Sequence, residues 1–390
     1  MSRPLPWLPV LLGFLTAVGP VSTDVYLPAF PAIDATFGMP GGAQLTLAAW
    51  FAGLSCGQLM QGALSDRFGR RAPMIAGMSL YMLSSAGCAL APSIGAFCAF
   101  RFLQAIGGSA MVVVPRAMVR DMADGPEAAR MLGFLMLIMG VAPIVAPTLG
   151  GLVQAFATWR DIFWGCTAFG LISFAVIITL VPDTLPPERR VPLHLPDMLR
   201  RYRGIVVERG FLSHTTMMGM AMFGLFAYLG GSPAAFIQQY HLPPALYGAI
   251  FGMNAIGYIG AAQVNGRLVG RLGGDHLLRV ASTVYLVATA LLMVTAWTGW
   301  GGLAGLMLPL VIAQGSLGFV SPNATVGALT RHAAHAGSAS ALMGTLQFVL
   351  AALSGIAVGA LSDGTARPMA TLMLVGAVGA KLADLARPRG

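Results

Sequence analysis

Charge is what this sequence has least of. Only 9% of its 390 residues are Asp, Glu, Lys or Arg, against about 25% in soluble domains. An ordinary soluble fold is excluded, because a chain that is 56% apolar has too little polar surface to meet water. Lysine is almost missing: Lys381 is the only one among 23 basic residues. Cysteine is scarce. Cys56, Cys88, Cys98 and Cys166 all fall within apolar stretches, with no disulfide framework and no metal-ligand spacing, and read as small buried hydrophobes. The six histidines, His194, His214, His241, His276, His332 and His335, mostly sit in loops or at the ends of apolar stretches. They form no metal-spaced cluster, so neither metal nor cofactor is expected. A glycine-rich phosphate-cradling loop is missing too, which argues against nucleotide as the energy source.

What remains is a membrane composition. Glycine (50) and proline (25) are abundant, as they are in transmembrane helices, and mean hydropathy is +0.76. The fold class is therefore all-α and membrane-embedded. A crossing needs about 20 apolar residues. Twelve such spans are legible, near 8–30, 43–62, 72–91, 94–116, 130–155, 161–182, 211–236, 246–266, 277–297, 301–323, 337–360 and 368–386. The first reads as a helix that is kept, not as a cleaved leader, because its apolar run continues through Tyr26 to Phe30.

The net charge of +9 does not point to nucleic acid, because it is confined to short inter-span loops. With the N-terminus inside, the inner segments hold Arg3; Arg67, Arg70, Arg71; Arg116, Arg120, Arg130; Arg189, Arg190, Arg200, Arg201, Arg203, Arg209; Arg267, Arg271, Arg279; Arg331; and Lys381, Arg387, Arg389. Only Arg160 and Arg367 fall outside, and Arg101 lies within a span. This bias places both termini in the cytoplasm and agrees with an even span count.

Pro182 to Arg209 is the longest polar stretch. It separates residues 1–182, an N-terminal six-helix bundle, from 210–390, a C-terminal one, with 183–209 as cytoplasmic linker. Its prolines keep the first part extended. From Pro196 it reads either as an amphipathic helix with Met198, Leu199 and Ile205 turned to the membrane or as a solvated connector. The halves also repeat. Offset by 204 residues, Gly62, Leu64, Arg67 and Gly69 match Gly266, Leu268, Arg271 and Gly273. Two halves of like topology are one transporter design. Gly270 replaces Asp66 in the second copy, so the first half is the specialised one.

Asp24 is the only charged residue of the first span. A carboxylate at membrane depth costs about 2.5–3.5 kcal/mol or more, and removal from water penalises the charged form of any carboxyl. We read Asp24 as a proton-coupling group of a secondary transporter; the bland alternative is a solvated acid at a helix end. Asp34, further on, reads as interfacial. Arg101 is the only basic residue well inside a span. By helical rise it lies roughly 12 Å deep and Asp24 roughly 6 Å. The two are thus expected to come within reach, Arg101 helping to expel the proton. Otherwise Arg101 anchors helices through backbone carbonyls, with Gln104 taking its remaining donors.

Gly62-Ala-Leu-Ser-Asp-Arg-Phe-Gly-Arg-Arg71 resembles the signature loop between the second and third helices of the major facilitator superfamily. The strings DVYLPAFP (Asp24 to Pro31), RFLQAIGGS (Arg101 to Ser109) and RAMVRDM (Arg116 to Met122) are similar to the Bcr/CflA branch of drug:proton antiporters, some of which export bicyclomycin or chloramphenicol-type drugs. Gly140-x-x-Pro143-x-x-x-Pro147-x-x-Gly150-Gly151 resembles the antiporter motif, departing from it at Ala146, where glycine is usual.

The resemblance implies a monomeric, multi-pass protein of the bacterial inner membrane that exports small, largely apolar antibiotics in exchange for protons by alternating access. Asp24 and Arg101 would couple protons. Candidates for the cavity are Tyr26, Gln104, Phe226, Tyr228, Phe236, Gln238, Asn254 and Asn323, with methionine-rich walls; for any single one the alternative is ordinary helix packing, against which Asn254 and Asn323 stand out as uncharged polar groups that need partners. Gly62 and Gly69 would permit a tight turn, and with Asp66, Arg67, Arg70, Arg71 and Asp121, the last with Arg120, would form a cytoplasmic latch that closes in the outward-facing state and opens in the inward-facing one; the alternative is that these charges only set the topology. One proton suffices energetically: about 3.5 kcal/mol from 150 mV plus about 1.4 from a pH unit sustains a gradient of roughly a few thousand-fold. The alternatives are export of a metabolite such as a small peptide or amino acid and, outside transport, a membrane enzyme or receptor.

Overall fold

The computed structural model describes residues 7–123, 125–190, 195–330, 332 and 336–387. Arg3, His194, Arg331, His335 and Arg389 lie outside the described residues, as do the side chains of Met198, Leu199 and Arg201. The described chain is helical. The first span is α1 (Leu8–Thr16), α2 (Val18–Thr23) and α3 (Phe30–Phe37). Then come α4 (Gly42–Phe68), α5 (Arg71–Ala89), α6 (Ile94–Met122), α7 (Gly125–Phe156) and α8 (Trp159–Leu180). A short linker helix, α9 (Leu195–Val206), follows. The second half is α10 (Arg209–Pro233), α11 (Pro244–Leu272), α12 (Gly274–Thr298), α13 (Gly302–Leu329), α14 (Ala336–Ala360) and α15 (Arg367–Leu385).

Ten of these segments are long and apolar enough to cross a bilayer. The other two crossings are α4 and α5, of 27 and 19 residues. α4 is less apolar because it faces protein: its Gln44, Ser55 and Gln61 are all buried. The result is two six-helix bundles. The turns after Phe37, Ala89, Phe156, Gln239, Thr298 and Ala360 share the arginine-poor end, and the remaining turns share the arginine-rich end.

The first span departs from the single helix expected over 8–30. It breaks at Asp24–Tyr26, passes through a tight 3-10 turn at Leu27–Ala29 and resumes as α3. Pro28 and Pro31 each remove a backbone donor where a continuous helix would need one. Asp34, expected at the interface, caps the next turn: its carboxylate accepts from the N–H of Gly41 (3.0 Å) and Ala43 (2.8 Å). α9 forms, but its Ile205 packs against Phe211, Ala328, Ala339 and Met343. That part of the helix is turned to the second bundle, not to lipid.

Glycine lets the helices approach closely. Within the first bundle Gly53 and Gly57 on α4 lie against Phe102 and Ser109 of α6. Between the bundles, α4 lies along α14 from Gly41 at Gly359, through Ala48 at Gly355, to Gln58 at Gly344. Likewise α7 lies along α11, from Gly151 at Pro244, through Thr148 at Gly248, to Gly140 at Ile259. Small residues at such seams let backbones meet without a side chain between them. Hydrogen bonds from Gln44 Nε2 to Gly230 O on α10 (3.2 Å) and from Ser55 Oγ to Thr345 O on α14 (3.3 Å) also join α4 to the second bundle. The inter-bundle contacts therefore concentrate toward the arginine-poor end and the middle of the molecule.

Candidate functional site

A cavity of about 390 Å³ lies between the bundles. Its walls come from both halves: Gly19, Asp24, Phe51, Val112 and Pro143 on one side; Met222, Phe226, Tyr228, Asn254, Gln314 and Phe348 on the other. Among the described residues Asp24 is its only charged lining residue. The chain break puts it there. Its N–H still closes the last turn of α2 on Pro20 O (2.8 Å), and its carboxylate accepts from Thr23 Oγ1 (2.9 Å). At 5% exposure it is buried at the wall, with Trp50, Phe51 and Phe226 in the same lining.

Arg101 does not reach it. The side chain is fully buried, donating from Nη2 to Ser22 O (2.9 Å) and from Nη1 to Gln104 Oε1 (2.6 Å). Its guanidinium lies over the rings of Tyr26 (4.6 Å), Trp50 (4.5 Å) and Phe163 (5.6 Å). Depth says nothing about direction around a helix axis, and Arg101 points to an aromatic box on the far side of the break. The carbonyl-anchoring alternative describes these contacts. Arg101 holds Ser22 and Tyr26, the residues two before and two after Asp24. A desolvated guanidinium over an aromatic face is worth about 2 kcal/mol. Arg101 thus pins the break from behind while the acid faces the cavity.

Of the residues expected in the cavity, Phe226, Tyr228 and Asn254 line it. Phe226 packs against Phe51 at 4.2 Å between ring centres, and Tyr228 stacks on Phe251 at 5.4 Å. Five others do not. Tyr26 belongs to the arginine box and bonds Thr46 Oγ1 through its hydroxyl (3.3 Å). Gln104 is used up between Arg101 and Ser85 Oγ (2.7 Å). Phe236 packs on Tyr247. Gln238 sits beside Gly364 at the arginine-poor end. Asn323 donates to Asn265 Oδ1 (2.6 Å) and Phe319 O (2.9 Å). The sequence reading missed Trp50, Phe51, Gln314 and Phe348, which line the cavity. In helices apolar all round, no periodicity marks the lining face.

The antiporter-like motif lies at the seam. Gly150 abuts the Val25 carbonyl next to Asp24, Gly151 abuts Pro244 on α11, and Gly140 and Pro143 line the cavity. Pro147 is interior to α7, and Ala146 is buried.

At the arginine-rich end Arg70 organises the loop between α4 and α5. Its fork grips Asp121 (Nε to Oδ2, 2.7 Å; Nη2 to Oδ1, 3.1 Å), and Nη1 reaches Asp66 and Ser65. Burial works against its charge, yet hydrogen bonds and charge attraction from Asp121 and Asp66 hold its pKa above the ordinary guanidinium value. Asp183 bonds the Arg70 N–H (2.8 Å) and Arg190 (3.1 Å). Gly69, at φ +85°, lets that carboxylate press onto the backbone. Arg71 donates to Ile178 O, and Arg67 lies over Phe68. Three expectations change here. Asp121 pairs with Arg70, not Arg120. Gly62 is no turn but an interior residue of α4 facing open space. The network forms inside the first bundle while the two bundles meet toward the opposite end, and Asp66 stays 55% exposed.

The second bundle has its own cluster at this end. Asp384 meets Lys381 (2.9 Å) and Arg387 (3.1 Å), and Arg387 also pairs with Asp275.

The Major Facilitator Superfamily profile matches residues 12–355. An uncharacterized MFS-type transporter of Bacillus subtilis is 36% identical over 96% of this chain and 94% of its own. A bicyclomycin resistance protein homolog of Haemophilus influenzae is 31% identical over 92% and 90%. Among solved structures, a bacterial homolog of the human lysosomal transporter Spinster aligns over 99% of this chain and 97% of its own. Its TM-score is 0.78 at 14% identity.

Proposed function

Because the chain belongs to the Major Facilitator Superfamily, we propose that it exports small, largely apolar drug-like molecules in exchange for protons. The observation that carries this is the acid Asp24, the one charged residue among the described residues in the wall of a cavity built by both bundles. The resistance named for the Haemophilus relative supports an antibiotic as cargo. The arginine bias makes the arginine-rich end cytoplasmic. The protein then sits in the bacterial inner membrane as a monomer with both termini inside, and the bundles meet toward the outer side. Cargo enters from the cytoplasm, the bundles rock about the α4–α14 and α7–α11 seams, and Asp24 takes up a proton from outside.

Expression in an efflux-deficient host is expected to raise the inhibitory concentration of uncharged antibiotics. The rocking has its own test. A Cβ on Gly355 would stand 3.1 Å from Ala48 Cβ, close to disulfide geometry, with Cβ atoms about 3.8 Å apart. In a background without the four native cysteines, Ala48→Cys with Gly355→Cys is expected to stop export when oxidised and regain it on reduction. Unchanged export by the oxidised protein defeats alternating access at this seam.

A further inference from the structure

The cavity has polar atoms with nothing to bond. Asn254 is 2% exposed; its Nδ2 donates to Ile250 O (3.0 Å), and its Oδ1 has no partner. Gln314 is also 2% exposed, and neither its Oε1 nor its Nε2 has a partner. The Tyr228 hydroxyl and the Trp50 indole N–H are likewise unbonded. All four side chains line the same cavity as Asp24. Each such group left unpaired costs about 1–3 kcal/mol, so a cluster of them around one apolar space marks a place where something else supplies the bonds.

The arrangement is specific. α11 and α13 run side by side in the same direction. Gly318 abuts Tyr258, and Gly257 faces Val311. One turn back from Gly318, Gln314 therefore stands level with the Asn254–Tyr258 turn. Asn254 offers its Oδ1 as an acceptor and one amide N–H, the other N–H being bonded to its own helix. Gln314 offers a donor and an acceptor. All of these groups are uncharged. Asn254 and Gln314 belong to the second bundle, while the only charge belongs to the first. Their complement is a donor beside an acceptor on a flat apolar body that fits between Phe51, Phe226 and Phe348.

Resting on the export reading above, we propose that the cargo is an uncharged molecule bearing a carboxamide or lactam, read by Asn254 and Gln314. The labour is divided: Asp24 handles the proton, and the α11–α13 pair recognises the cargo. A carboxamide N–H donates to Asn254 Oδ1 or Gln314 Oε1, and its carbonyl accepts from Gln314 Nε2. Such a site discriminates strongly against analogues that leave its buried groups unpaired.

The test uses probes of one extended shape: benzanilide, with a central amide; trans-stilbene, with none; and phenyl benzoate, an ester that keeps the carbonyl and lacks the N–H donor. Binding to the purified full-length protein is read by tryptophan quenching and equilibrium dialysis. The wild type is expected to bind benzanilide at least about tenfold tighter than stilbene, with the ester in between. In Gln314→Leu and Asn254→Leu the preference shrinks, and in the double variant it disappears. Stilbene binding by the variants reports that the cavity is intact. Equal wild-type affinity for the two probes overturns the proposal, as does a preference that survives in the double variant. Failure of the export reading is a separate result: amide preference in binding with no Asp24-dependent efflux of any probe.

Discussion

Asp24→Asn is expected to abolish proton-driven export while leaving the protein folded. The substitution keeps the shape of the side chain, and an amide oxygen still accepts from Thr23 Oγ1 as the carboxylate does at 2.9 Å. What is lost is the exchangeable charge. Among the described residues no other charged group lines the cavity, so no neighbour there can take over the proton. In everted vesicles with an imposed pH gradient, drug accumulation by the variant should fall to that of vesicles lacking the protein. Proton movement on adding drug should vanish with it. Melting temperature and drug binding to the purified variant should remain near wild type, because apolar contacts dominate the lining. A variant that still exports at the wild-type rate and still moves protons removes Asp24 from coupling.

The second large effect falls on Arg101, and it differs in kind. The depth argument predicts a shifted pH optimum for Arg101→Ala, through lost attraction to Asp24. The geometry predicts loss of the folded protein. Truncation orphans the Ser22 carbonyl and Gln104 Oε1, at about 1–3 kcal/mol each, and empties the space between three aromatic rings. We expect about 2–6 kcal/mol of destabilisation, seen as a lowered melting temperature and poor recovery in detergent. Arg101→Lys should rescue only in part, because a point charge cannot fork to two acceptors while stacking on rings. Activity surviving in folded Arg101→Ala with an altered pH profile would restore the direct pairing.

The two cases show how differently two intramembrane charges can be read. Asp24 was legible as the one acid in its span, since lipid makes any carboxylate there conspicuous. Its position in the chain also showed that prolines followed closely. The consequence, a helix broken beside the acid and resumed at Phe30, belongs to the tertiary structure, because a proline kinks some helices and ends others. Arg101 was equally conspicuous, but depth along a helix leaves its azimuth open. Gln104 and Tyr26 went astray with it, since both belong to the arginine's own surroundings.

The same limit applies to the cavity. Phe226, Tyr228 and Asn254 are lining residues, whereas Phe236, Gln238 and Asn323 satisfy packing elsewhere. Gln314 had equal claim in the sequence and was not singled out; it is set apart by two amide atoms that find no partner. In a soluble helix the polar face marks solvent. In these helices lipid, neighbour and cavity all favour apolar residues, so the pattern is nearly uniform around the axis.

The linear sequence by itself determined that the chain is a membrane protein, where it crosses, which ends of the crossings share a side, and that it divides into matched halves. Those properties follow from summed hydropathy and loop charge, which are additive along the chain. Tertiary structure alone decided which way each buried polar group points. It set Arg70 on Asp121, Arg101 on Ser22 and Asp24 on the cavity, because each pairing joins residues far apart in sequence through the rotation of one helix against another.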